Sequence, residues 1–159
     1  MAYLEDLSNY EYSNEFNRPG TKAIGWLARD HEFPTAPPDE DLLDLLFLFC
    51  SFSVALARGG HDCEFCPSGT VYEVERKGQK LLAGVAEIRV FSRDGRIYAA
   101  PTLIYHYVAI HHYKPPDEFL EALRTGPRPP SQEYFDILAQ LNLEWSKTSP
   151  GGQRKRLFA

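Results

Sequence analysis

A chain of 159 residues with 43% hydrophobic, 13% aromatic and 25% charged side chains has the size and mixture of one ordinary globular domain, which excludes a fibrous or disordered chain. Its net charge of −5 argues against sequence-independent nucleic-acid binding, which needs surplus Lys and Arg to displace phosphate counterions. The most apolar run, Leu42 to Leu56, contains Asp44, Ser51 and Ser53 and is shorter than the ~20 apolar residues of a membrane span.

Taken in order, the chain opens with Met1-Ala2-Tyr3-Leu4-Glu5-Asp6, without the basic and apolar regions of a signal peptide, so a cytoplasmic protein is expected. Residues 1–20 read as an irregular arm whose Tyr3, Tyr10, Tyr12 and Phe16 pack on a single domain spanning 1–148. Thr21 to Leu27 suits a first strand, with Gly25 marking a close backbone approach or bulge. His31 to Pro38 is a proline-rich loop. Asp39, Glu40 and Asp41 then place negative charge at the start of a helix. This helix is expected to run to Arg58 and stop at Gly59-Gly60. Apolar residues from Leu45 to Phe49, extended by Cys50 as a small buried hydrophobe, require cover on more than one side, from the domain or a second subunit.

Beyond Gly60, Gly69 to Glu75 alternates as a half-exposed strand and Arg76-Lys77-Gly78-Gln79 turns. Lys80 to Phe91 reads as a longer strand interrupted by Gly84, with Ile88 and Val90 on one face and Glu87 and Arg89 on the other. Asp94-Gly95 turns the chain back into Arg96 to Ala99. A helix starts at Pro101-Thr102 and ends about His112, before Lys114-Pro115-Pro116. Another opens at Pro116-Asp117-Glu118 and runs through Leu123, and a last one follows Ser131 as N-cap to about Leu141 or Trp145. Residues 149–159, with Arg154, Lys155 and Arg156, read as a flexible basic tail.

Two stretches carry the chemistry. Gly60 to Pro67 holds His61, Cys63 and Cys66, and Ile104 to Tyr113 holds His106, His111 and His112. In a reducing compartment a close cysteine pair points to metal or redox chemistry rather than a disulfide. Cys63-x-x-Cys66 can reach one zinc ion from a single turn, and His106 and His111 fall within the ~3–5-residue gap of paired histidine ligands. On a regular helix those two histidines stand about 140° apart, at ~100° per residue, so both reach one ion only if the helix distorts or ends between them. His61 or His112 is the alternative. The expected zinc ligands are therefore Cys63, Cys66 and His106, followed by His111 or His61. A thioredoxin-like site is disfavoured, because that pair opens a helix after a strand, whereas Cys63 and Cys66 follow a helix.

The order of knuckle, hairpin and ligand-bearing helix over residues 61–112 resembles a treble-clef zinc finger, on Cys63-x-x-Cys66 with His106. It departs from that pattern in lacking a glycine after Cys66 before Gly69 and in the long gap to the helix. Residues 100–116 are also similar to runs in small uncharacterised bacterial proteins, a similarity that implies no activity.

A catalytic zinc needs an open coordination position and a nearby base, for which Glu64 and Glu87 are the candidates; a treble-clef nuclease would use His61. The deaminase, His-Glu-x-x-His, phosphate-loop, nucleophile-elbow and dinucleotide signatures are absent. The sequence thus predicts an α+β domain with a small antiparallel sheet, packed helices and a structural zinc. The expected role is non-enzymatic protein interaction or self-association, adaptor- or immunity-like, with no membrane and no nucleic-acid partner. The runner-up is a zinc-dependent hydrolase or nuclease.

Overall fold

The structure, a computed structural model, describes residues 3–56, 60–148 and 154–155. Among these residues four helices and three small sheets make an α+β fold. Strand β1 (Thr21–Ala23) pairs in parallel with β6 (Ile97–Pro101), which pairs antiparallel with β5 (Glu87–Phe91). The Asp94-Gly95 turn joins β5 to β6 as the sequence predicts, with Val90 opposite Tyr98. The small, largely antiparallel β structure that the sequence predicts is spread over this mixed sheet, the hairpin β3 (Glu73–Arg76) with β4 (Gln79–Leu82), and a third sheet described below.

Helix α1 (Glu40–Ser51) begins where Asp39 accepts the Leu42 amide at 2.6 Å, with Glu40 and Asp41 in its first turn. It ends at Ser51, short of the expected end at Arg58, which with Gly59 lies outside the described residues. Phe52–Ser53 leave it as β2 to pair with β7 (Ser146–Thr148), and Val54 bridges Glu87. Phe52 and Val54 are buried by this pairing, and a longer helix would withdraw their backbone from both partners. Leu42, Leu43, Leu46, Phe47, Phe49 and Cys50 all lie in the one large core, so the domain itself covers the unusually apolar helix.

The run Lys80 to Phe91 is likewise two strands in different sheets. Gly84, at φ +87°, turns between them, and a Cβ there would come 2.9 Å from the His61 carbonyl oxygen. Glu87 and Arg89 do not form an outward face, since every residue of β5 is buried. The arm covers that side. The Tyr10 hydroxyl donates to the Glu87 carboxylate at 2.8 Å, Arg89 Nη1 pairs with Glu87 at 2.8 Å, and Arg89 Nη2 donates to the Phe16 carbonyl at 3.2 Å.

Helix α2 (Ile104–His111) ends in a left-handed His112 at φ 57°, whose amide bonds Tyr107. Gly25, at φ +74°, lets the chain pass this helix, because a Cβ would sit 3.2 Å from Ile104. Helix α3 (Asp117–Thr125) follows Pro116, and α4 (Gln132–Gln140) is capped by the Ser131 hydroxyl, which accepts the Tyr134 amide at 3.2 Å. The last helix stops short of Trp145. That ring leaves the helix to stack on Phe135, at 4.2 Å, beside Phe52. The Tyr134 hydroxyl donates to the Arg89 carbonyl at 2.6 Å. Within the expected tail, β8 (Arg154–Lys155) pairs with β7, while 149–153 and 156–159 lie outside the described residues. Among the described residues no helix is long and apolar enough to cross a membrane.

Candidate metal centre

Cys63 and Cys66 form a tight turn, with the Cys66 amide bonded to the Cys63 carbonyl at 3.3 Å and the Phe65 amide to the Cys63 sulfur at 3.4 Å. Its entry is fixed by the His61 amide, which donates to the Gly84 carbonyl at 2.6 Å. Across from it, α2 presents His106 and His111. Four donor atoms meet there: the Cys63 and Cys66 sulfurs and the two imidazole Nε2 atoms, all within 4.8 Å of one another.

Four of the six separations are narrow in range. His111 Nε2 lies 3.4 Å from each sulfur, His106 Nε2 lies 3.3 Å from the Cys66 sulfur, and the two nitrogens are 3.2 Å apart. Of the two ways the sequence left open for both histidines to reach one ion, the helix does not end between them; it runs through both and leaves the regular pattern just after His111, where the His112 amide bonds the Tyr107 carbonyl. His111 is its last residue before the left-handed His112. Nε2 stands at the far tip of the imidazole, so two rings rooted on different sides of one short helix still converge.

The surroundings prepare these groups as ligands. Burial, reinforced by His111 alongside, pushes the His106 imidazole down to about 4, and burial lowers His111 as well. Both rings are therefore neutral near pH 7, with a nitrogen lone pair available. Burial also raises the Cys63 thiol to about 11, Cys66 adding to the effect, so cation binding has to displace thiol protons.

Residues 2–124 match a family described as Domain of unknown function (DUF7919). The chain belongs to this family. The span of the DUF7919 match contains all four donors and ends just within α3. No curated protein and no solved structure matches the chain.

Other chemical groups of this DUF7919 domain point elsewhere. His61, two residues before Cys63, is not among the converging donors; its Nε2 is hydrogen-bonded to the Tyr12 hydroxyl at 2.9 Å. His112 is exposed and lies outside the cluster. Glu64 accepts the Arg29 amide at 3.0 Å, and its carbonyl receives the Arg29 guanidinium. Glu87 is engaged by Tyr10 and Arg89.

Tyr72 is the residue that spacing alone does not reveal. Its hydroxyl accepts the Cys63 amide at 2.8 Å, while its ring meets His106 edge-on with centroids 4.8 Å apart. One buried side chain thus touches the knuckle and the helix together. Phe65 plays the complementary part, its ring 5.3 Å from His111 and 5.4 Å from Phe33. A signal for either was available only as an aromatic residue near the cysteines.

Proposed function

We propose that Cys63, Cys66, His106 and His111 hold one zinc ion in a closed structural site, and that the domain acts by contact with a protein partner rather than by catalysis. The observation that carries the metal reading is the size of the donor cage. Zinc bonds of ~2.0–2.1 Å to nitrogen and ~2.3 Å to sulfur in a tetrahedron give edges of about 3.3–3.8 Å. Four of the six donor separations, at 3.2–3.4 Å, are close to those edges, and the other two lie within 4.8 Å. Two thiolates with two imidazoles form a donor set that suits zinc, whereas Mg and Ca prefer oxygen. The ion would tie the knuckle to α2 in a treble-clef-like unit with the β3–β4 hairpin between them.

Four protein donors fill a tetrahedron and leave no position for metal-activated water. The groups that a hydrolase or nuclease would need also have other duties: Glu64 with Arg29, Glu87 with Arg89 and His61 with Tyr12. These two observations favour a binding protein.

The test is elemental analysis of purified protein together with the absorption spectrum of its cobalt form. One zinc per chain, a tetrahedral Cys2His2 cobalt spectrum and loss of both in Cys63→Ser and His106→Ala support the reading. Less than about 0.2 metal per chain after purification with added zinc would overturn the site. A cobalt spectrum that responds to water or added anions would return the hydrolase reading.

A further inference from the structure

We propose that the groove between the N-terminal arm and the chain leaving α2 receives an extended, arginine- or lysine-bearing segment of a partner protein. This rests on the protein-contact reading above and names the class of partner. The groove has a volume of about 410 Å³, and its apolar wall is made by Leu4, Leu27, Phe33, Pro34, Pro115 and Pro116. Rigid proline ridges facing an open trough suit a chain lying extended rather than a folded surface.

Its charge selects the occupant. Among the described lining residues, Glu5, Asp6, Glu32 and Asp117 stand against one cation, Lys114, which pairs with Asp117 at 3.6 Å. Asp6 is committed internally, accepting the Gly25 amide at 2.9 Å and the Tyr113 hydroxyl at 2.7 Å. Glu5 and Glu32 are exposed and have no ion-pair partner among the described residues. Tyr3, stacked on His31 with centroids 3.6 Å apart, and Phe33 add aromatic rings to the lining, the kind of group that attracts a guanidinium or ammonium. A second copy of this chain, itself carrying −5, and a nucleic acid both bring the wrong sign to this lining.

The same wall is fastened to the metal centre. Phe33 packs between Phe65 of the knuckle and Tyr113, and the Lys114 amide donates to the Pro34 carbonyl at 2.9 Å. The Ala36 amide reaches the His112 carbonyl at 2.8 Å. The structural ion would thereby hold the groove in shape from beneath.

The test uses fluorescence anisotropy of a labelled (Arg-Pro)4-Arg peptide with the full chain, its zinc content measured on the same sample. Saturable binding is expected, weakened about five- to thirtyfold in Glu5→Gln/Glu32→Gln, from about 0.5–1 kcal/mol per exposed carboxylate. The control pair Glu73→Gln/Glu75→Gln, with the same change in net charge on the distant β3 strand, should bind as the parent does. A glutamate counterpart of the peptide should not bind. No binding by the parent, equal weakening in both variant pairs, or tighter binding of the glutamate peptide or of single-stranded DNA would overturn the groove. Zinc at one per chain without peptide binding sinks the groove alone, and peptide binding without zinc sinks the metal alone.

Discussion

Replacing Glu87 by alanine removes one half of an ion pair that water does not reach. The Arg89 side chain is 0% exposed and that of Glu87 6%, so the guanidinium left behind keeps only the Ile88 and Phe16 carbonyls and the Tyr10 ring face. Its Nε already lacks a hydrogen-bond partner among the described residues. Stranding a buried charge in this way costs about 3–5 kcal/mol, and the Tyr10 hydroxyl loses its acceptor, which overlaps that figure rather than adding to it. About 4 kcal/mol is the expected loss, a large part of the ~5–15 kcal/mol that holds a domain folded. The double variant Glu87→Ala/Arg89→Met removes both charges, so its cost should fall at least ~2 kcal/mol below the sum of the Glu87→Ala and Arg89→Met singles. Urea unfolding followed by circular dichroism, at fixed zinc concentration, measures all four corners of this cycle. A loss under ~1 kcal/mol in Glu87→Ala, or strict additivity in the double variant, would refute the account of β5 as a charge-bearing core strand.

Three further outcomes follow from the geometry. Tyr72→Phe keeps the ring against His106 but removes the acceptor for the Cys63 amide, and should lower zinc affinity about 10–100-fold in a chelator competition. Its metal-free form should lose only about 1 kcal/mol, and equal losses with and without metal would make Tyr72 merely structural. Gly126→Ala would drive a Cβ into the Phe91 carbonyl oxygen and within 2.7 Å of that of Ala122; both are backbone atoms, so a loss above ~3 kcal/mol is expected. An unchanged melting temperature would count against the α3–β5 packing. Metal-free protein should lose stability on acidification, because His106 titrates near 6.5 when unfolded and about 4 when folded. The unfolded chain binds the extra proton in that window, so this stability is complete above about 6.5 and drains away toward 4. Thermal melts across that range should show the slope, and His106→Gln should flatten it.

What the sequence shows most clearly is what it encodes locally. Ser131 and the acidic turn after Pro38 start helices through hydrogen bonds spanning three residues, and Asp94-Gly95 reverses the chain within one turn. The proximity of two cysteines in a turn belongs to the same class. The choice among histidines does not, because His61 is drawn away by a tyrosine 49 positions earlier in the chain, and His111 is brought in by where α2 ends. Glu87 and Arg89 alternate with Ile88 and Val90 as a water-facing edge would, and only the arm lying over that edge reverses the meaning. The end of α1 was hidden for a similar reason. Phe52 and Val54 continue an apolar run compatible with helix, but their partners lie in β7 and β5.

The family match closes at residue 124, whereas Tyr134, Phe135, Leu138 and Leu143 are core residues. Cutting the chain at that border would uncover Phe49, Phe52 and Phe91, whose rings rest on Tyr134, Phe135 and Trp145. The packed core therefore extends past the matched segment. A truncated version ending there should come out sticky and insoluble even with every donor of the cation cage intact.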